Sequence, residues 1–309
     1  MPKSTSSPKI TINQAKSALI RSGYLLEARA ETILEESGFY VEANTAYPDP
    51  NTGKGREIDL YAVSANFISK KKYDAIFYVF ITECLNNPQP FAFITKDSFL
   101  SSTFHYDLKL AGLPIRIIPS EEDDDSIPLV EFLRMDEYHH YCRGRISTQF
   151  CSFRVKKGSN EWMALHDSPH FEAFQKLCEA TDYYREEYVQ NWEIGDNEVL
   201  NLEIYYPLII LQGDLMDVRP IGKSAKLSRT NHILYRRTTI QQGKSRDYFI
   251  DVITESFLPD YIKMVEGEIQ KAVNLIRRHK GRITASIEDI VERAQKAKDK
   301  KEIRRLLVI

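Results

Sequence analysis

Two short runs carry acids in settings that disfavour a bare charge. In residues 55–62, Ile58, Leu60 and Ala62 alternate with Glu57, Asp59 and Tyr61, the pattern of a half-buried strand. Residues 76–81 are almost wholly apolar, as in a central strand buried on both faces, and they run out into Thr82 and Glu83. An acid at the mouth of a buried strand is costly unless something pairs with it. Two such acids on neighbouring strands repel unless a cation lies between them. Hard divalent ions such as magnesium are held by one or two carboxylates together with water and substrate phosphates. Asp59 and Glu83 are therefore candidate ligands of a Mg2+ or Mn2+ ion. The plainer alternative makes Asp59 a strand-end acid and pairs Glu83 with Arg56 across strands.

The elements that must position these acids follow the order α-β-β-β-(β)-α-β. Thr11 or Asn13 caps a first helix ending near Gly23. A second helix spans about residues 24–37, with Leu26, Ala30, Ile33 and Leu34 as its apolar stripe and Gly38 as its C-terminal stop. Glu27 borders that stripe, and its alternative role is a solvated surface acid. Strands are expected at 39–43, 57–63, 76–83, 91–95 and 115–118. A helix is expected from Asp97 or Ser98 to about Ala111, closed by Gly112. Turn residues crowd 47–56, Lys70, Lys71 and Lys72 lie in a loop, and the acidic run 121–125 marks a boundary or exposed loop.

The order and the residues resemble the restriction endonuclease-like, or PD-(D/E)XK, nuclease superfamily over about residues 15–118. In that family a helix glutamate precedes a glycine and a first strand. An aspartate follows on the second strand, and the third ends in Glu-x-Lys. The matching positions here are Glu27, eleven residues before Gly38, then Asp59, then Glu83 in Ile-Thr-Glu-Cys-Leu. The resemblance implies a metal-dependent nuclease acting on phosphodiester bonds, most naturally those of DNA. In it Glu27, Asp59 and Glu83 are catalytic, and Asp59 and Glu83 hold the metal. Leu85 occupies the family's lysine position and can neither donate a proton nor orient water. Lys96, at the end of the next strand, and Lys54 and Arg56, before Asp59, are the candidate substitutes. The competing expectation is a catalytically degenerate nuclease fold that serves as a nucleic-acid-binding or scaffold subunit. A pure protein-interaction module is a third.

Length and composition bound the rest. The 309 residues suggest two parts, a nuclease-like α/β domain at 10–120 and an α+β region at 121–309. With 42% hydrophobic residues and a net charge of −2, the chain has core material but no global basic field, so any nucleic-acid face must be local. Four cysteines do not form a disulfide framework, and no apolar stretch is long enough for a membrane span. The polar start is unlike a secretory signal, and a cytoplasmic setting is expected.

In the second part, a helix is expected over 171–191, and hairpins over 202–211/215–218 and 233–240/248–253. Pro207 favours a strand start or an edge. His139, His140, Cys142, Cys151, His166 and His170 raise the question of zinc but read mainly as core and surface. Asp214 and Asp251 read as turn and strand-end acids rather than a second metal pair. A long helix over 257–279 ends at Gly281, and a last one runs from Ser286 to about Arg305. Arg277, Arg278, Lys280 and Arg282 begin a basic stretch that is the best local contact for a phosphate backbone. Its alternative is a solvated amphipathic tail. The apolar end, residues 306–309, suggests packing, with a second copy or a partner protein as the candidate surface.

Overall fold

The apolar run at residues 76–81 is buried on both faces, and a mixed α/β architecture is built outward from it. The computed structural model describes residues 9–308 apart from 51, 70–73, 88, 98–107, 119–125, 166–167, 194–198 and 242–243. The chain opens with α1 (Ile12–Ser22), α2 (Tyr24–Glu36), β1 (Tyr40–Pro48), β2 (Gly55–Phe67), β3 (Ala75–Asn86), β4 (Phe91–Asp97), β5 (Lys109–Leu113) and β6 (Arg116–Ile117). It continues with β7 (Ile127–Pro128), α3 (Leu129–Phe132), β8 (Arg145–Val155), β9 (Trp162–Leu165), α4 (Ser168–Asn191) and β10 (Asn201–Gln212). It closes with β11 (Leu215–Ile221), β12 (Ser224–Thr230), β13 (His232–Gln241), β14 (Lys244–Thr254), α5 (Leu258–Arg278), α6 (Lys280–Lys296) and α7 (Lys300–Leu307).

Twelve strands form one mixed sheet, ordered β1-β2-β3-β10-β14-β13-β8-β4-β11-β12, with β5 added to β10 and β9 to β8. Helices cover both faces. On one, Leu26, Ala30 and Leu34 of α2 and Tyr261, Val265 and Ile269 of α5 pack on Leu60, Phe80 and Tyr206. On the other, Phe174, Leu177 and Cys178 of α4 pack with Val79, Ile81 and Ile209. β10 runs parallel to both β3 and β14 and is apolar on both sides, as buried parallel strands are.

That placement corrects the expected division near residue 120. β10 lies between β3 and β14, so the two halves share one sheet and its cores. It also corrects the edge expected at Pro207, which stands in a central strand opposite Ile81. On its other side, β5 pairing ends at Tyr205 and β14 pairing begins at Leu208. Proline, which has no N–H to give a ladder, therefore stands where that side carries no pairing.

Other expectations were local readings that tertiary pairing overrode. Residues 109–113 are strand β5 rather than a helix end, while 98–107 lie outside the described residues. The 202–211/215–218 pair is not a hairpin: β11 leaves β10 and pairs with β4 and β12. β13 and β14 do form an antiparallel pair. Gly281 sits inside α6 rather than ending α5, and the last helical stretch breaks between Lys296 and Lys300. Thr11 caps α1 in a reciprocal box with Gln14, and Gly23 takes the left-handed φ of 90° between α1 and α2. Among the described residues, no helix is long and apolar enough to cross a membrane.

Candidate active site

Asp59 and Glu83 meet where the β2–β3 ladder runs out. Leu60 opposite Thr82 is its last pair, so the next β3 amides lose their β2 partners. Asp59 fills that gap, its Oδ2 accepting the Cys84 N–H at 2.7 Å. Such a bond fixes the carboxylate and satisfies a donor at a strand end. Glu83 is 4% exposed on the neighbouring strand. Glu27 approaches from the first turn of α2, half-buried, and Asp59 and Lys176 are the charges that act on it.

The cation beside these acids comes from α4, the helix on the opposite face of the sheet from α2. Lys176 Nζ lies 2.7 Å from Glu83 Oε1 and 2.9 Å from Oε2. Its side chain is 27% exposed, so the residue is not sealed in the core. The helix is held in place by several contacts. Tyr47 of β1 donates its hydroxyl to the Lys176 carbonyl at 3.1 Å. Arg56 of β2 bridges Asp49 at 2.5 Å and Glu179 at 3.2 Å. The Tyr61 and Tyr184 rings meet at 4.7 Å. Asp182, further along the helix, accepts from Tyr248 at 2.6 Å and pairs with Arg185 and Arg246.

The electrostatics are those of acids held together. Burial first, then the Asp59 charge, pushes Glu83 up to about 8, while Lys176 pulls it back. Burial also raises Asp59, opposed by the Cys84 N–H and by Lys176. Glu27 is raised by burial and then by Asp59. A divalent cation would reverse this balance, because it favours every ionised form at once.

The shift on Glu83 has a sign that stability measurements read. Its carboxyl is held above the ordinary 4.5 in the folded chain. Its contribution is therefore fully present below about 4.5 and is lost as pH rises through about 8. In chelator, Glu83→Gln is expected to remove this loss. Wild type should lose at least ~4 °C more than the variant in thermal midpoint between pH 5 and 8.5, at ~2–4 °C per kcal/mol. Equal losses in the two proteins would show that Glu83 ionises normally.

The expected lysine substitutes lie elsewhere. Lys96 is exposed and lines an open cavity of about 670 Å³ with Thr95, Arg145, Arg219 and Lys226, which none of the three acids lines. Lys54 is exposed in the turn where its carbonyl accepts the Asp49 N–H. Arg56 is committed to Asp49 and Glu179, not to Glu83 as the plainer reading had it. Leu85 packs with the α4-side core. Sequence reading missed Lys176. The one signal for it is its place beside Phe174, Leu177 and Cys178, on the helix that covers Glu83's strand.

Of the basic stretch, Arg278, Lys280 and Arg282 are exposed, whereas Arg277 donates to the carbonyls of Phe67 and Ile68 at 3.0 and 2.9 Å. Further on, Arg293 and Lys296 pair with Asp289 and Glu292 of their own helix. Asp214 pairs with Arg229, apart from Asp251. No family model, no curated protein and no solved structure matches the chain.

Proposed function

We propose that this chain is a metal-dependent nuclease of the restriction endonuclease-like, PD-(D/E)XK kind, with Lys176 in place of the motif's missing lysine. The observation that carries the reading is the 2.7 Å contact between Lys176 and Glu83, beside Asp59 on the adjacent strand. Two half-buried or buried carboxylates of raised pKa are a hard-oxygen donor set, which suits Mg2+ or Mn2+. A bound ion would polarise the phosphate and lower the pKa of attacking water. Asp59 and Glu83 would hold it, and Glu27 would accept a hydrogen bond from that water or a proton as it adds. Lys176, partly exposed, would place its ammonium against charge developing on the phosphoryl oxygens. The exposed Arg278, Lys280 and Arg282 are the proposed backbone contacts, and DNA is the proposed substrate.

One observation favours the competing reading of a binding or scaffold subunit. Both Glu83 oxygens already have a cation, as a stable buried ion pair would. The two readings part on a single panel. Purified protein is incubated with supercoiled plasmid, single-stranded DNA and RNA in Mg2+, in Mn2+ and in excess chelator. The nuclease reading expects at least one substrate to be cut with a divalent ion and none in chelator. No cutting with either ion on all three substrates would favour the subunit.

A further inference from the structure

A second cluster of titratable side chains, with the residue types of a metal site, lies beside α5 in groups the proposed nuclease does not use. It is assembled from four stretches of the chain. His139 and His140 come from the segment between α3 and β8, His232 from the start of β13, Asp251 from β14, and Tyr261 and Glu268 from α5. Asp251 is fully buried and receives three side chains. Its Oδ1 lies 2.7 Å from His232 Nε2, and its Oδ2 lies 3.2 Å from His140 Nε2 and 2.7 Å from the Tyr261 hydroxyl. Glu268 grips His140 twice, accepting the backbone N–H at 2.7 Å and facing the ring Nδ1 at 2.8 Å. The His139 ring stacks on that of His140 at 4.7 Å.

We infer that His140 Nε2, His232 Nε2 and Asp251 form a binding site for a borderline transition metal such as Zn2+. The three donor atoms all lie within 4.8 Å of one another. Zinc bonds of ~2.0–2.1 Å at a tetrahedral angle place neighbouring donors ~3.3 Å apart. The His140–Asp251 separation of 3.2 Å already matches that edge. The Glu268 contact directs Nε2 of His140 inward by engaging Nδ1, as carboxylates behind metal-bound imidazoles do. Glu268 also brings the second negative charge that balances a divalent ion. Two imidazoles select against Mg2+ and Ca2+, so this site and the acid pair at Asp59 and Glu83 would take different metals. His232 is 22% exposed at its side chain, which leaves an entry path from solvent. Because its ligands come from β13, β14 and the segment before β8, the ion would tie that segment to the sheet, with Tyr261 and Glu268 of α5 holding two of the ligands from behind. The inference does not depend on the nuclease reading.

The test uses full-length, untagged protein, stripped with chelator and then titrated with Zn2+ against a chromophoric competitor. Co2+ is used in parallel for its visible spectrum. The expected result is ~1 equivalent of tight Zn2+, with intense cobalt absorption typical of a low-coordinate site. His232→Ala should weaken binding by at least roughly tenfold, and Glu268→Gln by about as much through its hold on His140. Asp59→Ala/Glu83→Ala should keep the equivalent, which separates this ion from any bound at the acid pair. Wild type that binds no Zn2+ at 100-fold excess over protein, with no change in thermal midpoint, would overturn the inference and leave a buried His–carboxylate ion-pair network. Loss of the equivalent in Asp59→Ala/Glu83→Ala alone would overturn it too. Should His232→Ala fail to fold, the wild-type stoichiometry and cobalt spectrum decide.

Discussion

Lys176→Met is expected to slow phosphodiester cleavage by about 10²–10³-fold at saturating Mg2+, the usual loss when one preorganised charge is removed from a transition state. Methionine keeps the length and apolar stem of lysine, and the side chain is partly exposed, so the fold should tolerate it. A second effect must be separated from the first. Lys176 lowers the Glu83 pKa, so its removal lets that carboxyl rise further above about 8 and weakens metal binding near neutrality. The pH profile tells the two apart. Were the amine only holding Glu83 ionised, raising the pH to about 9–10 with excess metal would restore most of the rate. A direct role on the phosphoryl group predicts that the defect persists at every pH. Lys96→Met, by contrast, should leave the rate within about twofold, because Lys96 lines a different cavity.

Asp59→Asn is expected to cost at least as much, about 10³-fold or more in rate. The substitution is nearly isosteric. Its amide oxygen can still accept the Cys84 N–H, so the strand end stays capped. What is lost is the charge on a prospective metal ligand. That loss has a second readout. Asp59 is the largest charge raising Glu83, so in Asp59→Asn the Glu83 pKa should fall toward the ordinary carboxylate range. In chelator the variant should therefore show a shallower fall in stability between pH 5 and 8.5 than wild type. Activity near wild type, with this shallower slope, would mean that Asp59 shapes the local field without binding the ion.

The residues that sequence reading could reach are those whose signal is local. Alternation marks Ile58, Leu60 and Ala62 on one side of β2, and the unbroken apolar run marks β3. Both acids could be placed on neighbouring strands because β-strand periodicity is short and self-contained. Lys176 could not be. It stands 93 positions after Glu83, in a helix whose periodicity marks it only as neither core nor cap. What brings it to Glu83 is α4 crossing the β3 and β10 face, and no local pattern encodes that crossing. The same limit explains the false hairpin. Gln212-Gly213-Asp214 has the composition of a tight turn, but the chain continues to β4 instead of folding back. A related limit applies to residues 109–113: Gly112 reads locally as a helix stop, yet it lies in β5 opposite Leu202 of β10. His140, Asp251 and Glu268 are each ordinary in sequence. Separations of 111 and 128 residues hide the cluster they make.

The most direct test of the central claim is a rescue. On the proposed nuclease reading Leu85, two residues beyond Glu83, stands where the motif would have its lysine; it packs at the margin of the core on the α4 side. Single-turnover plasmid cleavage in Mg2+ would be timed for wild type, Lys176→Met and Leu85→Lys/Lys176→Met. Wild type is expected to cleave, Lys176→Met to be slowed by about 10²–10³-fold, and the double variant to recover at least roughly tenfold of that loss. Cleavage by Lys176→Met at the wild-type rate would contradict the central claim.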